Sequence, residues 1–249
     1  MGVSAPLESR AAGAAHIGVS GWNYPAWKRR FYAGVPQRDW LGYCARRFTG
    51  VEVNATFYRF LKPEAFAAWR ELAPPGFAFT LKGHRFITHG EKLVNTGPLL
   101  ERMRLTSLPL GDRLAAVLWQ LPQSLGKDLP RLAGFAELLD AWPVRHAFEF
   151  RHHTWFAADI AAFLAARGYA VCQSEGAEWP MWTEVTTDLV YVRFSVPAPG
   201  APPRDLDHWA GLARHWQAEG RQVHLYFDGD SQGEAPYQAL DLMRRIARS

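Results

Sequence analysis

The stretch from His146 to Phe156, H-A-F-E-F-R-H-H-T-W-F, carries a dense set of chemically active side chains. Side chains alternate between the two faces of a β-strand, so Glu149 and Arg151 share one face while Phe148 and Phe150 share the other. A carboxylate and a guanidinium that point together can bind an anion or take part in proton transfer. Burying them without partners costs free energy. We therefore predict that this strand leads into a functional site.

Seven further strand-like stretches show a similar alternation, with one apolar face that is suited to packing against helices. Their opposite faces carry polar or ionisable side chains, namely Ser20, Glu52, Asn54, Lys82, Gln120, Ser174, Tyr191, Arg193, His224, Tyr226 and Asp228. A single member of this set could be a satisfied structural group. Several charges that converge in one enclosed place favour a ligand site, because burial without a ligand costs free energy.

Helical patterns separate these strand-like stretches. The predicted strands are His16–Trp22, Val51–Tyr58, Phe77–Lys82, Ala115–Leu121, the first part of His146–Phe156, Tyr169–Ser174, Leu189–Ser195 and Gln222–Asp228. The predicted helices are Gln37–Phe48, a helix that begins at Pro63, Pro98–Leu108, Leu129–Ala141, Phe156–Arg167, Leu206–Glu219 and a helix that begins at Pro236. The segment Glu175–Asp188 has little helical pattern.

Strict alternation of strands and helices is typical of a parallel sheet. Eight such units in 249 residues fit a closed barrel better than an open sheet. The prediction is an α/β protein with one (β/α)8 TIM-type barrel domain over residues 16–249, irregular around the sixth α unit. A flexible segment, residues 1–15, is predicted to precede it.

The composition, 48% hydrophobic and 21% charged residues, is typical of globular proteins, and the net charge of +4 is a mild excess. Cys44 and Cys172 lie far apart and suggest neither a disulfide framework nor a zinc site. No stretch has the apolar length of a signal sequence or a membrane span. We expect a cytoplasmic protein without a membrane partner.

Several motifs together resemble one known family. They are I-G-V-S-G-W, V-E-V-N-A-T-F-Y-R, R-F-I-T-H, W-Q-L-P, F-E-F-R-H-x-x-W, Y-V-R and Y-F-D-G-D-x-x-G-x-A. In this order they resemble the YecE-like family, also called domain-of-unknown-function family seventy-two, from about His16 to Ala239. The resemblance implies a TIM-type barrel with a large polar cleft, and it implies no particular reaction.

The family's motif positions overlap with the polar set derived from strand alternation. They fall on Glu52, Asn54, Tyr58, Lys82, His89, Gln120, Glu149, Arg151, His152, Trp155 and Arg193. The sequence departs from the family pattern in two loops. Ser195-Val196 stands where the family usually has His-Gly, and Asp228-Gly229-Asp230 stands where it usually has Asn-Asn-Asp.

The cations Lys82, Arg85, Arg151 and Arg193 suit a phosphate or carboxylate ligand. We predict an enzyme, a hydrolase or transferase, that acts on a phosphoester of a small anionic substrate or of nucleic acid. The predicted catalytic residues are Glu52, Glu149, His152 and Lys82. The two glutamates could equally hold these cations in place, with Glu149 paired to Arg151 or Arg193. The predicted substrate-binding residues are Asn54, Tyr58, His89, Gln120, Arg151, Trp155, Arg193 and Asp228.

Three alternatives stay open at this point. No cofactor motif is present and no metal is predicted, although a divalent metal could be held by Glu52, His89, Glu149, His152, Asp228 and Asp230. A carbohydrate-processing enzyme could pair Glu52 with Glu149 and stack sugars on Trp22, Trp27, Trp155, Trp179 and Trp182. A non-catalytic protein could bind a nucleotide or single-stranded nucleic acid through aromatics and cations. The loop Pro197–Pro203 is a candidate lid.

Overall fold

Eight parallel strands close into one barrel in a computed structural model that describes residues 13–176, 178–196, 203–229 and 233–248. The strands are β1 (Ala15–Ser20), β2 (Gly50–Val53), β3 (Ala78–Lys82), β4 (Leu114–Gln120), β5 (Arg145–Glu149), β6 (Ala170–Glu175), β7 (Leu189–Phe194) and β8 (Gln222–Asp228). Each strand pairs with the next, and β8 pairs with β1. The predicted TIM-type barrel is confirmed.

Eight α-helices lie among the described residues. They are α1 (Trp40–Ala45), α2 (Ala55–Tyr58), α3 (Pro63–Leu72), α4 (Gly97–Ser107), α5 (Leu129–Leu139), α6 (Ala158–Arg167), α7 (Leu206–Ala218) and α8 (Ala235–Ile246). Proline occupies one of the first two positions of α3, α4, α5 and α8, where its missing N–H costs no helical hydrogen bond. Asp128 and Asp205 cap α5 and α7 through their side chains. Gly168 ends α6 in the left-handed conformation.

The apolar faces of the strands pack outward against the helices, as the alternation predicted. Val117, Trp119 and Phe148 belong to this outer core and are fully buried. A separate cluster fills the inside of the barrel below the polar ends of the strands. It consists of Ala116, Leu118, Ala147, Ala170, Cys172, Leu189, Tyr191 and Tyr226. The barrel interior is therefore packed, and the polar side chains lie above this packing at the C-terminal ends of the strands.

The second strand is shorter than predicted. It ends at Val53, and the chain turns at once into the single-turn helix α2. The hydroxyl of Thr56 fixes this turn, because it lies within hydrogen-bond distance of two backbone carbonyls, those of Val53 and Lys82, at 2.8 Å each. The prediction that Tyr58 lies on a strand is wrong, since the turn places Tyr58 at the end of α2.

The connection between β6 and β7 contains no helix in its described part, residues 176 and 178–188. The irregular sixth unit predicted from the sequence is therefore present. Residues 1–12, most of the predicted flexible segment, lie outside the described residues, and so does the candidate lid Pro197–Pro203 apart from Pro203. In the described parts of the chain, no helix is long and apolar enough to span a membrane.

The close approach of β1 to β2 requires glycine at position 18. A Cβ atom at Gly18 would lie 2.0 Å from the backbone oxygen of Gly50, which cannot rotate away. We expect Gly18→Ala to lower the free energy of unfolding by about 1 to 3 kcal/mol through this overlap. The matched control is Gly134→Ala in α5, where a Cβ meets nothing within 4 Å. This change should stabilise by roughly 0.5 to 1 kcal/mol.

Urea denaturation of the two variants and the wild type checks this prediction. Equal stabilities for Gly18→Ala and the wild type would show that β1 and β2 are not held this closely.

Candidate functional site

The guanidinium of Arg193 on β7 lies at the centre of the barrel mouth and binds three carboxylates. Its Nε lies 3.1 Å from both carboxylate oxygens of Glu52, and its Nη2 lies 3.0 Å from Oε1 of the same residue. Its Nη1 donates to Glu149 over 2.8 Å, and its Nη2 lies 3.4 Å from Asp228. Arg193, Glu52 and Glu149 are almost completely buried. One buried cation therefore connects β2, β5, β7 and β8.

Further donors satisfy the two buried glutamates. The Tyr191 hydroxyl donates to Glu52 over 2.6 Å. The Gln120 amide lies 2.8 and 2.9 Å from the two oxygens of Glu149, and Arg151 Nε donates to Glu149 over 2.9 Å. Register explains the Gln120 contact, because Gln120 and Glu149 are partners across β4 and β5. Together these residues form the Arg193 network, defined here as Glu52, Gln120, Glu149, Arg151, Tyr191, Arg193 and Asp228.

The cations around Glu149 keep its carboxylate ionised. Burial alone would raise the pKa of Glu149, but the charges of Arg193, Arg151 and Lys82 outweigh burial and lower this pKa to about 2. Burial lowers the pKa of Arg193, yet the surrounding carboxylates hold it well above its usual range. Glu149 is thus a carboxylate at neutral pH with both oxygens occupied. These contacts favour a positioning role for Glu149 over the acid–base role that the sequence suggested.

Lys82, at the end of β3, points into the same mouth without a partner. No hydrogen bond or ion pair within the described residues involves its Nζ, which lies 4.5 Å from the centre of the Phe57 ring. Burial and the charge of Arg193 lower its pKa from 10.5 to about 8, against the opposing pull of Glu149, Glu52 and Asp228. A buried, unpaired amine of this kind is available to a ligand.

His89 lies beside Lys82 on a π-helical turn, Phe86–Gly90. Burial and the positive charges of Arg151, Lys82 and Arg85 lower the pKa of His89 to about 4, so the ring is neutral at pH 7. Its Nδ1 is hydrogen-bonded to the Thr88 hydroxyl over 2.8 Å. This side of the mouth therefore gathers cations and a neutral imidazole.

Two buried polar atoms close to the Arg193 network have no hydrogen-bond partner among the described residues. They are the hydroxyl oxygen of Ser20 and Oδ1 of Asn54. Ser20 is the register partner of both Glu52 and Asp228. The Asn54 amide and the Tyr24 hydroxyl both donate to the Ser20 carbonyl. Unsatisfied buried polar atoms are uncommon, and both of these belong to strand ends next to Glu52.

The connection between β6 and β7 forms one wall of the mouth. The Arg151 guanidinium lies 4.0 Å from the centre of the Trp179 ring, in cation–π contact. Trp182 packs against Phe156 and Phe150. A narrow cavity behind this wall is lined by Phe150, Phe156, Val171, Cys172, Ser174, Trp179, Pro180 and Trp182. The irregular sixth unit therefore supplies side chains that hold Arg151.

Most of the residues predicted to form the site do come together. Glu52, Lys82, Gln120, Glu149, Arg151, Arg193 and Asp228 meet at the mouth, with Asn54 and His89 at its edge. His152 does not join them: it contacts Thr154 over 2.8 Å and caps the turn after β5. Tyr58 is exposed on the rim.

Trp155 requires a correction, because the sequence suggested that it contacts a substrate. It has no exposed surface, stacks on Phe150 and donates from Nε1 to the Leu125 carbonyl over 2.7 Å. Trp27, one of the proposed sugar-stacking residues, is also fully buried. These two tryptophans pack in the core instead of lining a cleft.

The sequence reasoning missed two side chains of the mouth, Phe57 and Tyr24. The sequence predicts a strand through Phe57. In the structure the turn at Asn54 brings the centre of the Phe57 ring to 4.5 Å from Lys82 Nζ. Tyr24 contacts the β8 end so closely that a Cβ at Gly229 would lie 1.9 Å from its ring. Gly229, directly after Asp228, is the sequence feature that could have indicated this contact, because only glycine leaves room for the Tyr24 ring.

The candidate metal ligands are not grouped for metal binding in the described part of the chain. No cluster of three His, Cys, Asp or Glu side chains that could hold an ion is found there. The carboxylates of Glu52 and Glu149 are bound by arginine instead. Asp230, the last of the six candidate ligands, lies outside the described residues.

A family model described as a protein of unknown function, DUF72, matches residues 16–249. The chain belongs to the DUF72 family. The UPF0759 protein YecE of Escherichia coli strain K12 is 32% identical over 145 residues, which cover 57% of this chain and 50% of that protein. The chain thus spans about half the length of the curated relatives that it matches.

Solved structures show the same fold as this DUF72 chain. A DUF72 family protein from Thermotoga maritima MSB8 has a TM-score of 0.82 at 22% identity and covers 94% of this chain and 99% of its own. One from Enterococcus faecalis V583 has a TM-score of 0.78 at 17% identity, with coverage of 95% and 96%. D-psicose 3-epimerase from Clostridium cellulolyticum H10 has a TM-score of 0.51 at 11% identity, covering 92% and 94%. At these identities the likeness concerns the fold alone.

The Arg193 network leads to a stability prediction for the DUF72 chain. Arg193→Met leaves Glu52 and Glu149 buried without their shared cation, so the free energy of unfolding should fall by about 3 to 5 kcal/mol. The matched control is Arg167→Met, which removes a surface pair with Asp140. This change should cost under about 1 kcal/mol. Denaturant unfolding measures both changes, and a similar small loss for the two variants would contradict a structural role for Arg193.

Proposed function

We propose that this DUF72 protein is an enzyme that binds a small phosphate-bearing substrate in the barrel mouth and hydrolyses or transfers its phosphoester. The observation that carries the proposal is the buried amine of Lys82, which has no hydrogen bond or ion pair with any described residue. It lies beside a network whose carboxylates are already bound by Arg193 and other donors. An anion that enters the mouth therefore finds a free cation. It does not have to displace a carboxylate from that cation.

The identity of residue 82 supports a chemical role. The chain has 5 lysines and 23 arginines, and Lys82 is the one lysine classed as buried among the described residues. Arginine stays protonated in proteins, whereas a buried lysine can give up its proton near neutral pH. The pKa of about 8 keeps most Lys82 amines protonated at pH 7 and lets them exchange that proton. A purely electrostatic role would not need this property.

Neighbouring groups suit the remaining needs of phosphoester chemistry. Arg151 lies at the opening, partly exposed, with one guanidinium nitrogen on Glu149 and its plane against Trp179. Cations held in place by a rigid network stabilise the charge that develops on a phosphoryl group. The oxygens of Ser20 and Asn54, which have no hydrogen-bond partner among the described residues, supply further polar contacts for the substrate or for water.

The proton balance of hydrolysis follows from these assignments. Water adds to phosphorus, the bond between phosphorus and the ester oxygen breaks, and the departing oxygen takes the proton from Lys82 Nζ. The proton that water releases then restores Lys82 to its ammonium form through solvent. Glu52 and Glu149 hold Arg193 and take no proton in this scheme. This division of roles differs from the paired-glutamate mechanism of glycosidases, which needs one carboxylic acid protonated.

Sulfate is a suitable probe of the anion site, because its charge is constant from pH 6 to 10. Below about pH 8 Lys82 is protonated and sulfate should bind, while above this pKa each pH unit should weaken binding up to tenfold. Lys82→Met should bind sulfate at least tenfold more weakly at pH 7. Lys127→Met, which removes a surface lysine paired with Asp159, is the control and should bind normally. Calorimetry measures these affinities.

The same variants test turnover against a panel of phosphomonoesters and phosphodiesters. Lys82→Met should lose at least about a hundredfold of any activity found, as expected for the loss of an acid–base group. It should still fold, because the lowered pKa means that the protonated amine is a cost to the folded state below pH 8. Wild-type protein that binds no sulfate and cleaves no member of the panel would contradict the proposal.

A further inference from the structure

Two large aromatic side chains are exposed in consecutive loops at the barrel mouth. Tyr58, at the end of α2, is 66% exposed, and Phe86, at the start of the π-helical turn after β3, is 56% exposed. No role in the Arg193 network accounts for either ring. Both rings are therefore open to a molecule that approaches the mouth.

Ring contacts connect Tyr58 to the anion site, and the π-helical turn connects Phe86 to it. Tyr58 packs against Phe57 with ring centres 5.0 Å apart, and Phe57 in turn lies beneath the Lys82 amine and 5.1 Å from His89. Phe86 begins the same π-helical turn that carries His89. An aromatic path therefore leads from the outer rim to the free cation.

A second set of contacts supports Phe86 from below. Its ring lies 5.0 Å from His84, which stacks on Phe60 with ring centres 4.0 Å apart. The Arg102 guanidinium lies 4.4 Å from the centre of the Phe60 ring. The exposed Phe86 ring thus rests on His84, which is itself supported by Phe60 and Arg102. This arrangement holds Phe86 outward and keeps it from folding into the core.

Each exposed ring has an arginine as its direct neighbour in the sequence. Arg59 follows Tyr58 directly, Arg85 precedes Phe86, and both are exposed. The positive charge of Arg85 is close enough to lower the pKa of His89. Exposed π faces interleaved with cations are the features that bind unpaired bases and their backbone.

We propose that Tyr58 and Phe86 form a stacking rim for an unpaired nucleotide, free or within single-stranded nucleic acid, whose phosphate enters the mouth at Lys82. This inference rests on the proposed function and names the substrate class of that site. Paired bases inside a duplex hide their faces, so the rim selects unpaired ones. The aromatic path places base recognition on the rim and phosphate chemistry inside the barrel.

The experiment compares the double variant Tyr58→Ala/Phe86→Ala with wild type. The matched control is Tyr237→Ala, which removes another partly exposed aromatic with a cation nearby, because Arg30 lies 5.3 Å from its ring centre. Fluorescence anisotropy measures binding of labelled ten-residue oligothymidylate at fixed salt. Adenosine monophosphate and a blunt duplex serve as competitors, and sulfate binding is measured in parallel.

The double variant should bind oligothymidylate at least tenfold more weakly than wild type. The control Tyr237→Ala should bind it as wild type does. In both variants the affinity for sulfate should stay within twofold of wild type. If adenosine monophosphate binds as tightly as the oligonucleotide, the rim is assigned to free nucleotides. A much weaker monophosphate assigns it to single-stranded nucleic acid. Both rankings support the stacking rim.

Three results would overturn the inference. The double variant could bind oligothymidylate as tightly as wild type, the duplex could compete as well as the single strand, or wild type could bind no nucleotide at all. The last result would leave the exposed rings to a protein partner. In each case, the proposed function would still stand if the wild type binds sulfate and Lys82→Met does not. If the wild type binds no sulfate, the proposed function itself is contradicted.

Discussion

The buried ion cluster around Arg193 is the constraint on which the mouth of this barrel depends. A guanidinium with two buried glutamates is costly to desolvate, and only close, well-paired geometry offsets that cost. Arg193 meets this demand with contacts to Glu52, Glu149 and Asp228, while Tyr191 and Gln120 donate to the remaining carboxylate oxygens. The cluster connects strands from opposite sides of the barrel and fixes the floor of the site.

This pairing determines which groups remain available for chemistry. In the sequence, Glu52 and Glu149 suit acid–base catalysis. In the structure, Arg193 binds both carboxylates, and the nearby cations lower the pKa of Glu149. Within the part of the chain that the structure describes, Lys82 at the edge of the cluster has a charge without an ionic partner, and its amine lies over the Phe57 ring. A rigid ionic floor with one exchangeable cation beside it is a preorganised site for an anion.

Strand alternation alone predicted the barrel and most of the mouth, because period-two burial and the alternation of strands with helices are local properties. It correctly brought Glu52, Lys82, Glu149 and Arg193 together. It failed where the chain leaves a strand, since the turn at Asn54 depends on hydrogen bonds to Thr56. The partner of Glu149 stayed open between Arg151 and Arg193, and barrel closure provides both contacts. The burial of Trp155 depends on a distant carbonyl, which strand alternation does not reveal.

The most direct measurement is an NMR titration of the lysine amines, labelled by reductive methylation with carbon-13 formaldehyde, with Lys82→Met for assignment. The chain has 5 lysines, so each resonance can be followed. We predict that the Lys82 resonance titrates with a pKa near the value of about 8, and that added sulfate raises this pKa. A Lys82 resonance that titrates in the ordinary lysine range and ignores sulfate would contradict an unpaired, buried, anion-binding amine.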